Sequence, residues 1–220
     1  MRIAAVQMAV PDPVATAAWY GAALGLPVSD TDVGVGVSTL HLTAGPTGGH
    51  HHLAALIPSD AAEAGMQWLR GRVELLEADG DRIHLGPPEW DSASVYFRGP
   101  DGIILELIAR HRLANPSAGP FDAGSLLSIS EIGVPVADVA AVVDTLGREM
   151  QLPPFGEPGP DFAPVGDDDG LLIVVDNTRI WFPTLADRPA TGSLSVTLDR
   201  AAEGVATTLR PAPGTTIRSC

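Results

Sequence analysis

The residue of this sequence that most needs a chemical explanation is Glu106, a carboxylate inside a run of apolar residues. It lies in the stretch Ser94–Arg110, which reads SVYFRGPDGIILELIAR. The segment Gly99–Gly102 (GPDG) has the composition of a tight turn, so we predict a hairpin of two strands, Ser94–Phe97 and Ile103–Ile108. An ionised carboxylate in such a strand is costly to bury unless it is paired, hydrogen-bonded or bound to metal. The alternative for any single acid is a solvated position on an exposed strand face.

The composition is that of an acidic globular chain. Of its 220 residues, 45% are hydrophobic and 18% are charged, so it can bury one large core or two small ones. The net charge of −14 argues against nucleic acid or an anionic membrane surface as the partner, and leaves cationic or neutral small molecules. The single cysteine, Cys220, permits no intramolecular disulfide and no cysteine zinc site, so we expect a reducing, cytoplasmic compartment. No segment predicts a signal peptide or a transmembrane helix.

Strand and helix signals alternate along the chain. The first strand, Arg2–Val10, leads into a helix that begins after Asp12 and ends near Gly25. Residues 115–124 (NPSAGPFDAG) are rich in proline, glycine and small polar residues and form the best linker candidate. Further helices are predicted from Asp60, which with Glu63 has the spacing of a capping box, to about Arg70 and over Asp138–Met150. Further strands are predicted at Val33–Thr43, His50–Ile57, Arg72–Ala78, Arg82–Leu85, Leu126–Val136, Phe162–Val165, Leu171–Val175, Arg179–Phe182, Ser193–Leu198 and Gly214–Arg218.

An internal repeat organises these elements. Asp12–Pro27 and Asp138–Pro153 align without a gap: each begins with Asp after a strand, contains a helix and ends in Leu-Pro. The helix that begins at Asp60 is a third, weaker copy. A repeated unit of one strand, one helix and further strands predicts a modular α+β protein.

Several stretches carry a resemblance to a known family. The Asp-capped helix ending in GLP, the strand HHLAALIP and the hairpin YFRGPDGIILELIAR together resemble the glyoxalase/bleomycin-resistance/extradiol-dioxygenase superfamily, also called vicinal oxygen chelate. The continuation, with LLSISEIGVPVADV, FAPVGDDDGLLIVV and RIWFPT, resembles its two-domain members. The resemblance implies tandem βαβββ modules that form two cupped mixed-sheet domains, residues 1–114 and 125–220. The last module is shortened.

The resemblance also implies a ligand set, because metal-binding members take ligands from the first and last strands of two paired modules. Carried over by position, the ligands are His41, His52 and Glu106, all in the first domain. Ala5 stands where a His or Gln is expected, and Gln7 lies roughly 6–7 Å further along the same strand face. The set suits divalent Fe, Zn, Mn, Ni or Co and leaves positions open for a substrate's adjacent oxygens. A packed structural role is the alternative for each histidine.

Other residues are candidates for acid–base chemistry near the substrate. The main candidates are Tyr96, His50 and His51, and His84 is an additional one. Each of the four has a surface or packing role as its alternative.

A third group of candidates could contact the substrate directly. We predict substrate-binding roles for Gln7, Trp90 and Glu131. Glu131 occupies the first ligand position of the third module, but Trp181 stands where that module's last strand should supply an acid. We therefore expect the second domain to bind no metal, and Glu131 to make a hydrogen bond or line a pocket.

Two main functions remain open. The first is a metal-dependent enzyme acting on a small oxygen-rich molecule, extradiol-dioxygenase-like or, less favoured for lack of an arginine cluster that would bind glutathione, glyoxalase-like. The second is a metal-free protein that binds or sequesters a small molecule, as bleomycin-resistance relatives do; Ala5 and the acidic surface favour it. An interaction module with a degenerate pocket is a third reading. Homodimers are an expectation wherever strand edges remain to pair.

Overall fold

The computed structural model describes residues 1–199 and 206–219, so Cys220 lies outside the described residues. The elements fall into four modules along the chain. The first contains β1 (Arg2–Val10), α1 (Pro13–Leu24), β2 (Val28–Ser29), β3 (Asp32–Val35) and β4 (Ser38–Ala44). The second contains β5 (His52–Ile57), α2 (Ala62–Leu69), β6 (His84–Leu85), β7 (Ser92–Arg98) and β8 (Ile104–Arg110). The third contains β9 (Ser128–Val136), α3 (Val139–Met150), β10 (Phe162–Asp167) and β11 (Gly170–Asp176), and the last contains β12 (Leu194–Asp199), β13 (Thr207–Ala212) and β14 (Thr215–Ser219).

The helix starts follow from local side-chain chemistry in two of the three cases. The carboxylates of Asp12 and Asp138 each accept a hydrogen bond, 3.0 Å long, from the backbone N–H three residues on, as expected for N-caps. The predicted cap of α2 is wrong, because that helix begins after Ala61 without a side-chain cap. The carboxylate of Asp60 instead accepts hydrogen bonds from the amide and hydroxyl of Ser117.

Two predicted strands are loops in the structure. Within residues 72–83, pairing is limited to isolated bridges, one of them Leu75 with Phe97. The segment Arg179–Phe182 turns away from the sheet after β11, because the amide of Trp181 pairs with Asp187 O and its indole Nε1–H donates to His50 O. This segment therefore crosses the end of β5 as a loop.

All fourteen strands of the described residues join one curved mixed sheet, which confirms the predicted α+β class. Its longest path runs β13-β14-β12-β1-β9-β5-β8-β7-β6. The remaining strands of the first module continue from β1 through β4, and those of the third module continue from β9 through β11.

The modules pair across the predicted boundary between residues 1–114 and 125–220. In the sheet, β5 of the second module lies antiparallel to β9 of the third, and β1 of the first lies antiparallel to β12 of the last. Each first strand already uses one edge for its own module, so its other edge is free for a partner module. The structure thus groups the modules as second with third and first with last. The division into two domains, residues 1–114 and 125–220, stays a prediction.

Among the described residues, two apolar clusters pack against the sheet. The larger one contains residues of α1, α2 and α3 together with strands of all four modules, and forms the main core. The smaller one joins Ile104 on β8, Ile173 on β11 and the indole of Trp181. The smaller cluster lies beside the buried ionisable residues described next.

No helix within the described ranges has the length and apolar character needed to cross a membrane. A cytoplasmic location and a homodimer stay predictions.

Candidate metal centre

Three buried ionisable side chains converge where the second and third modules meet. They are His52 on β5, Glu106 on β8 and Glu131 on β9, and one ligand atom from each lies within 4.8 Å of the others. His52 Nε2 is 3.4 Å from Glu106 Oε2 and 3.9 Å from Glu131 Oε2. The three residues are 5%, 2% and 3% exposed. Charges buried this deeply need partners, so their convergence requires a physical explanation.

The strand register explains the convergence. Ala54 on β5 pairs with Glu106 of the parallel strand β8 on one side and with Glu131 of the antiparallel strand β9 on the other. His52, two residues before Ala54, points to the same face of the sheet. Since alanine is small, the three longer side chains meet in the space above it.

Arg110 orients Glu131 through a buried ion pair. It is fully buried, and its Nη2 lies 2.5 Å from Glu131 Oε1. Its guanidinium carbon lies 5.5 Å from the centre of the Phe155 ring. Because Arg110 occupies one carboxylate oxygen, the other oxygen of Glu131 is left to face His52.

Burial and mutual charge shift the proton affinities of the cluster. Burial, followed by the charge of Glu131, raises the pKa of Glu106 to about 7. Burial lowers the pKa of His52, but a hydrogen bond to Glu131 and the charges of both carboxylates outweigh this, and the net pKa is raised. Burial and the same two carboxylates raise the pKa of Tyr96 well above its usual value, so its hydroxyl stays protonated.

The donor set fits a divalent metal ion. Glu106 Oε2 is buried beside His52 without a hydrogen-bond partner among the described residues, which is an unfavourable state for a carboxylate oxygen unless a cation satisfies it. One imidazole nitrogen and two carboxylate oxygens suit Mn, Fe, Co, Ni or Zn. Within the described part of the chain, no other group of at least three His, Cys, Asp or Glu residues converges in this way.

The structure brings together two of the three ligands predicted from the sequence. His41 is not at this centre, because β4 pairs with β1 and β3 and not with the second module. Its Nδ1 lies 2.7 Å from Asp32 Oδ1, and its side chain is 40% exposed. The side chains that converge are therefore His52, Glu106 and Glu131, and His41 lies apart from them. Glu131, for which we predicted a hydrogen bond or a pocket wall, takes the place of His41 because β9 lies against β5.

The predicted acid–base histidines lie apart from the cluster. His50 Nδ1 is 2.9 Å from Gly102 O, and its Nε2 is 3.6 Å from Asp187 Oδ1. His51 is buried, with Nε2 2.9 Å from Ala9 O. Both imidazoles are thus engaged in holding loops and strands together.

Of the remaining predicted residues, two lie beside the cluster and one lies far from it along the sheet. Tyr96 on β7 pairs with Glu106 on β8, and its ring centre is 6.2 Å from that of His52. Trp90 lies with its ring 6.4 Å from that of Phe162 and lines the cavities beside the cluster. Gln7 is exposed on β1, where it pairs with His41, and is remote from the cluster in the strand order.

Two cavities open onto the cluster. One, of about 550 Å³, is reached by Glu106, and the other, of about 330 Å³, is reached by His52 and Glu131. They share the side chains of Pro87, Trp90, Tyr96 and Phe182 as a common wall. A small molecule in either cavity would contact both aromatic surface and a candidate ligand.

The indole of Trp181 covers the cluster like a roof, a contact that the sequence did not predict. Its ring centre is 5.1 Å from that of His52, and its Nε1–H donates to His50 O at 2.9 Å. A Cβ atom on Gly133 of β9 would lie 2.8 Å from this ring, so the glycine provides the space. A glycine inside an apolar strand is the one sequence signal of such a close approach.

Comparisons with known proteins agree with this architecture. Residues 2–107 match the family model of the Glyoxalase/Bleomycin resistance protein/Dioxygenase superfamily. A candidate dioxygenase from Bacillus subtilis has 15% identity and a TM-score of 0.60, over 100% of this chain and 85% of that chain. Glyoxalase I from Zea mays has 14% identity and a TM-score of 0.55, over 99% of this chain and 92% of that chain.

Identities this low show a shared fold and leave the activity open. A search of curated proteins returns no match. Residues 2–107 of this chain thus match the model of the Glyoxalase/Bleomycin resistance protein/Dioxygenase superfamily, and the whole chain shares its fold with the two solved structures above.

Proposed function

We propose that the protein is a metal-dependent enzyme acting on a small, oxygen-rich molecule at the cluster of His52, Glu106 and Glu131. The observation that carries this proposal is the convergence of three buried donor groups within 4.8 Å, next to two cavities. A purely structural cluster has no need of adjacent cavities that a small molecule can enter.

The side chains around the cluster have separable roles. A bound divalent ion supplies Lewis-acid polarisation of substrate oxygens. Arg110 holds the Glu131 carboxylate in place through a buried ion pair. Tyr96, protonated and next to Glu106, offers a hydroxyl that donates a hydrogen bond to that carboxylate or to a substrate oxygen. Trp90, Trp181 and Phe182 exclude water and provide flat apolar surfaces for the substrate.

Charge around the cavities favours a dioxygenase-like reaction over a glyoxalase-like one. The substrate of a glyoxalase carries the carboxylates of glutathione, which require cationic partners. The lining arginine, Arg179, is paired with Asp161, and Arg98 nearby is paired with Asp187. Both guanidinium groups are therefore already neutralised.

Metal content tests the proposal most directly. The untagged protein, purified without chelators, should contain close to one divalent ion per chain by elemental analysis. His52→Ala should reduce this to background, while the folded state is checked by circular dichroism. Metal well below stoichiometry in the wild type, unchanged by His52→Ala, would refute a metal-dependent enzyme.

Turnover assays separate the two reaction classes. The metal-loaded protein should consume oxygen with a catechol as substrate and should leave the hemithioacetal of glutathione and methylglyoxal unchanged. Conversion of the hemithioacetal without oxygen consumption would assign the glyoxalase-like reaction instead.

A metal-free binding protein is the second candidate, and one observation favours it. Gly133, two residues after Glu131, pairs with Ile173 on β11, whereas Ala54, two residues after His52, pairs with Glu106. The third module thus presents an apolar side chain where the second presents a ligand. A metal-free protein that still binds aromatic compounds in these cavities would support this candidate.

A further inference from the structure

The cavity on the Glu106 side has a one-sided charge pattern that the proposed function does not use. Its walls contain the carboxylates of Asp79, Asp81 and Glu106, and no arginine is among the described residues that line it. The chain contains no lysine. Trp90, Tyr96 and Phe182 supply aromatic surface in the same cavity.

A tight turn holds the two outer carboxylates at the rim. The backbones of Ala78 and Asp81 donate to each other's carbonyl oxygens at 3.1 and 3.0 Å. Both carboxylates act on His84, since they raise its pKa although burial, the larger effect, lowers it. The turn therefore directs negative charge toward the His84 side of the cavity.

Two lining residues have buried acceptor atoms without partners in the described part of the chain. Ser92 is 3% exposed, and its Oγ makes no hydrogen bond. His84 Nε2 is likewise buried and without a partner. A hydroxyl oxygen and a neutral imidazole nitrogen can both accept hydrogen bonds, and buried acceptors are rarely left unsatisfied.

We propose that this cavity is a subsite for a protonated amine carried on an aromatic or apolar body. An ammonium group has three donors and one positive charge, which match the unpartnered acceptors and the carboxylates. The faces of Trp90 and Tyr96 attract cations in addition. The inference deepens the proposed function, because the amine would belong to the substrate of the same centre.

Three probes that differ only in their terminal group test the inference. They are phenethylamine, 2-phenylethanol and phenylacetate, with binding followed by tryptophan fluorescence and by calorimetry. At low salt, phenethylamine should bind about tenfold more tightly than the neutral alcohol, and phenylacetate should bind most weakly. The preference should diminish as salt is added, because the rim carboxylates are exposed to solvent.

A matched pair of variants locates the effect. The double variant Asp79→Asn with Asp81→Asn should abolish the preference; asparagine keeps the size of aspartate and tolerates the positive φ of 56° at residue 79. The control is Asp144→Asn with Glu149→Gln, two exposed acids on α3. It changes the net charge equally and should keep the preference.

The outcomes separate this inference from the proposed function. Equal or tighter binding of phenylacetate, no binding of any probe, or a preference that survives the double variant would overturn the amine subsite. Metal content measured on the same samples reports on the proposed function independently. A metal-free protein that still prefers phenethylamine supports the subsite, and a metal-loaded protein without the preference overturns the subsite alone.

Discussion

The two module pairs of this sheet use the same register and differ in what they place there. In one pair, His52 and Glu106 lie on β5 and β8, with Glu131 across on β9. The corresponding positions of the other pair hold Ala5 and His41 on β1 and β4, with Ser195 across on β12. His52, Glu106 and Glu131 are nearly inaccessible to solvent. The side chain of His41 is 40% exposed and forms a hydrogen bond with Asp32.

The difference teaches that the fold supplies positions and the side chains decide what those positions do. One backbone arrangement gives a buried charged cluster in one half and a solvated polar patch in the other. The predictions below contrast matched residues of the two halves.

Removing a donor should have the largest effect, and only in one half. Glu106→Gln keeps the size of the side chain and loses its charge, so metal content should fall from about one ion per chain to background. His41→Ala, at the corresponding position, should leave metal content unchanged. Elemental analysis of both variants measures their metal content. A loss of metal in His41→Ala would show that the other half holds the ion.

Removing the buried arginine should be the next largest effect. Arg110→Met leaves Glu131 buried without its partner, so the free energy of unfolding should fall by about 3–5 kcal/mol. Arg218 is exposed and donates a hydrogen bond to Ser195 in the other half. Arg218→Met should therefore change the free energy of unfolding by less than about 0.5 kcal/mol. Urea denaturation measures the free energy of unfolding of both variants. Equal effects would mean that the Arg110 pair is worth no more than a surface contact.

The stability of the metal-free protein should depend on pH through Glu106. Its pKa of about 7 lies above the ordinary value of 4.5, so folding takes up a proton between the two values. The resulting stabilisation is complete below about pH 4.5 and is lost as the pH rises through about 7, a change on the order of 3–4 kcal/mol. The raised pKa of His52 acts in the same direction, because its protonated form is favoured in the folded state.

Urea denaturation of chelator-treated protein at several pH values measures this dependence. Glu106→Gln should flatten the curve, whereas Glu149→Gln on the exposed face of α3 should leave its shape unchanged. A stability that rises with pH over the same range would contradict the direction assigned to Glu106.

The smallest effect should come from filling the space under the roof. Gly133→Ala would place a methyl group 2.8 Å from the Trp181 ring and should destabilise the fold by about 1–3 kcal/mol. The corresponding residue of the other half is Thr197, where Thr197→Ala should cost less than about 1 kcal/mol. Thermal unfolding with tryptophan fluorescence reports both stability and the environment of Trp181. An unshifted fluorescence spectrum in Gly133→Ala would argue against the tight contact.

Much of the local structure could be read from the sequence. Asp12 and Asp138 predict the starts of their helices correctly, because capping depends on residues within one turn. The strand around Glu106 is likewise predicted from the apolar residues next to it in the sequence. The cap at Asp60 and the strand at Arg179–Phe182 were mispredicted because other groups bind the atoms concerned. Ser117 donates to the Asp60 carboxylate, and the backbone N–H of Trp181 donates to Asp187 O. Local pattern carries no information about such partners.

The sequence by itself predicted the modules, a resemblance to the superfamily whose model its first half matches, and two members of the candidate centre, His52 and Glu106. Only the tertiary structure decided which modules pair, and hence that Glu131 and not His41 completes the set. The reason is that every first strand has an apolar face and a free edge of the same kind. Pairing between modules is therefore selected by packing over the whole sheet, which no spacing along the chain records.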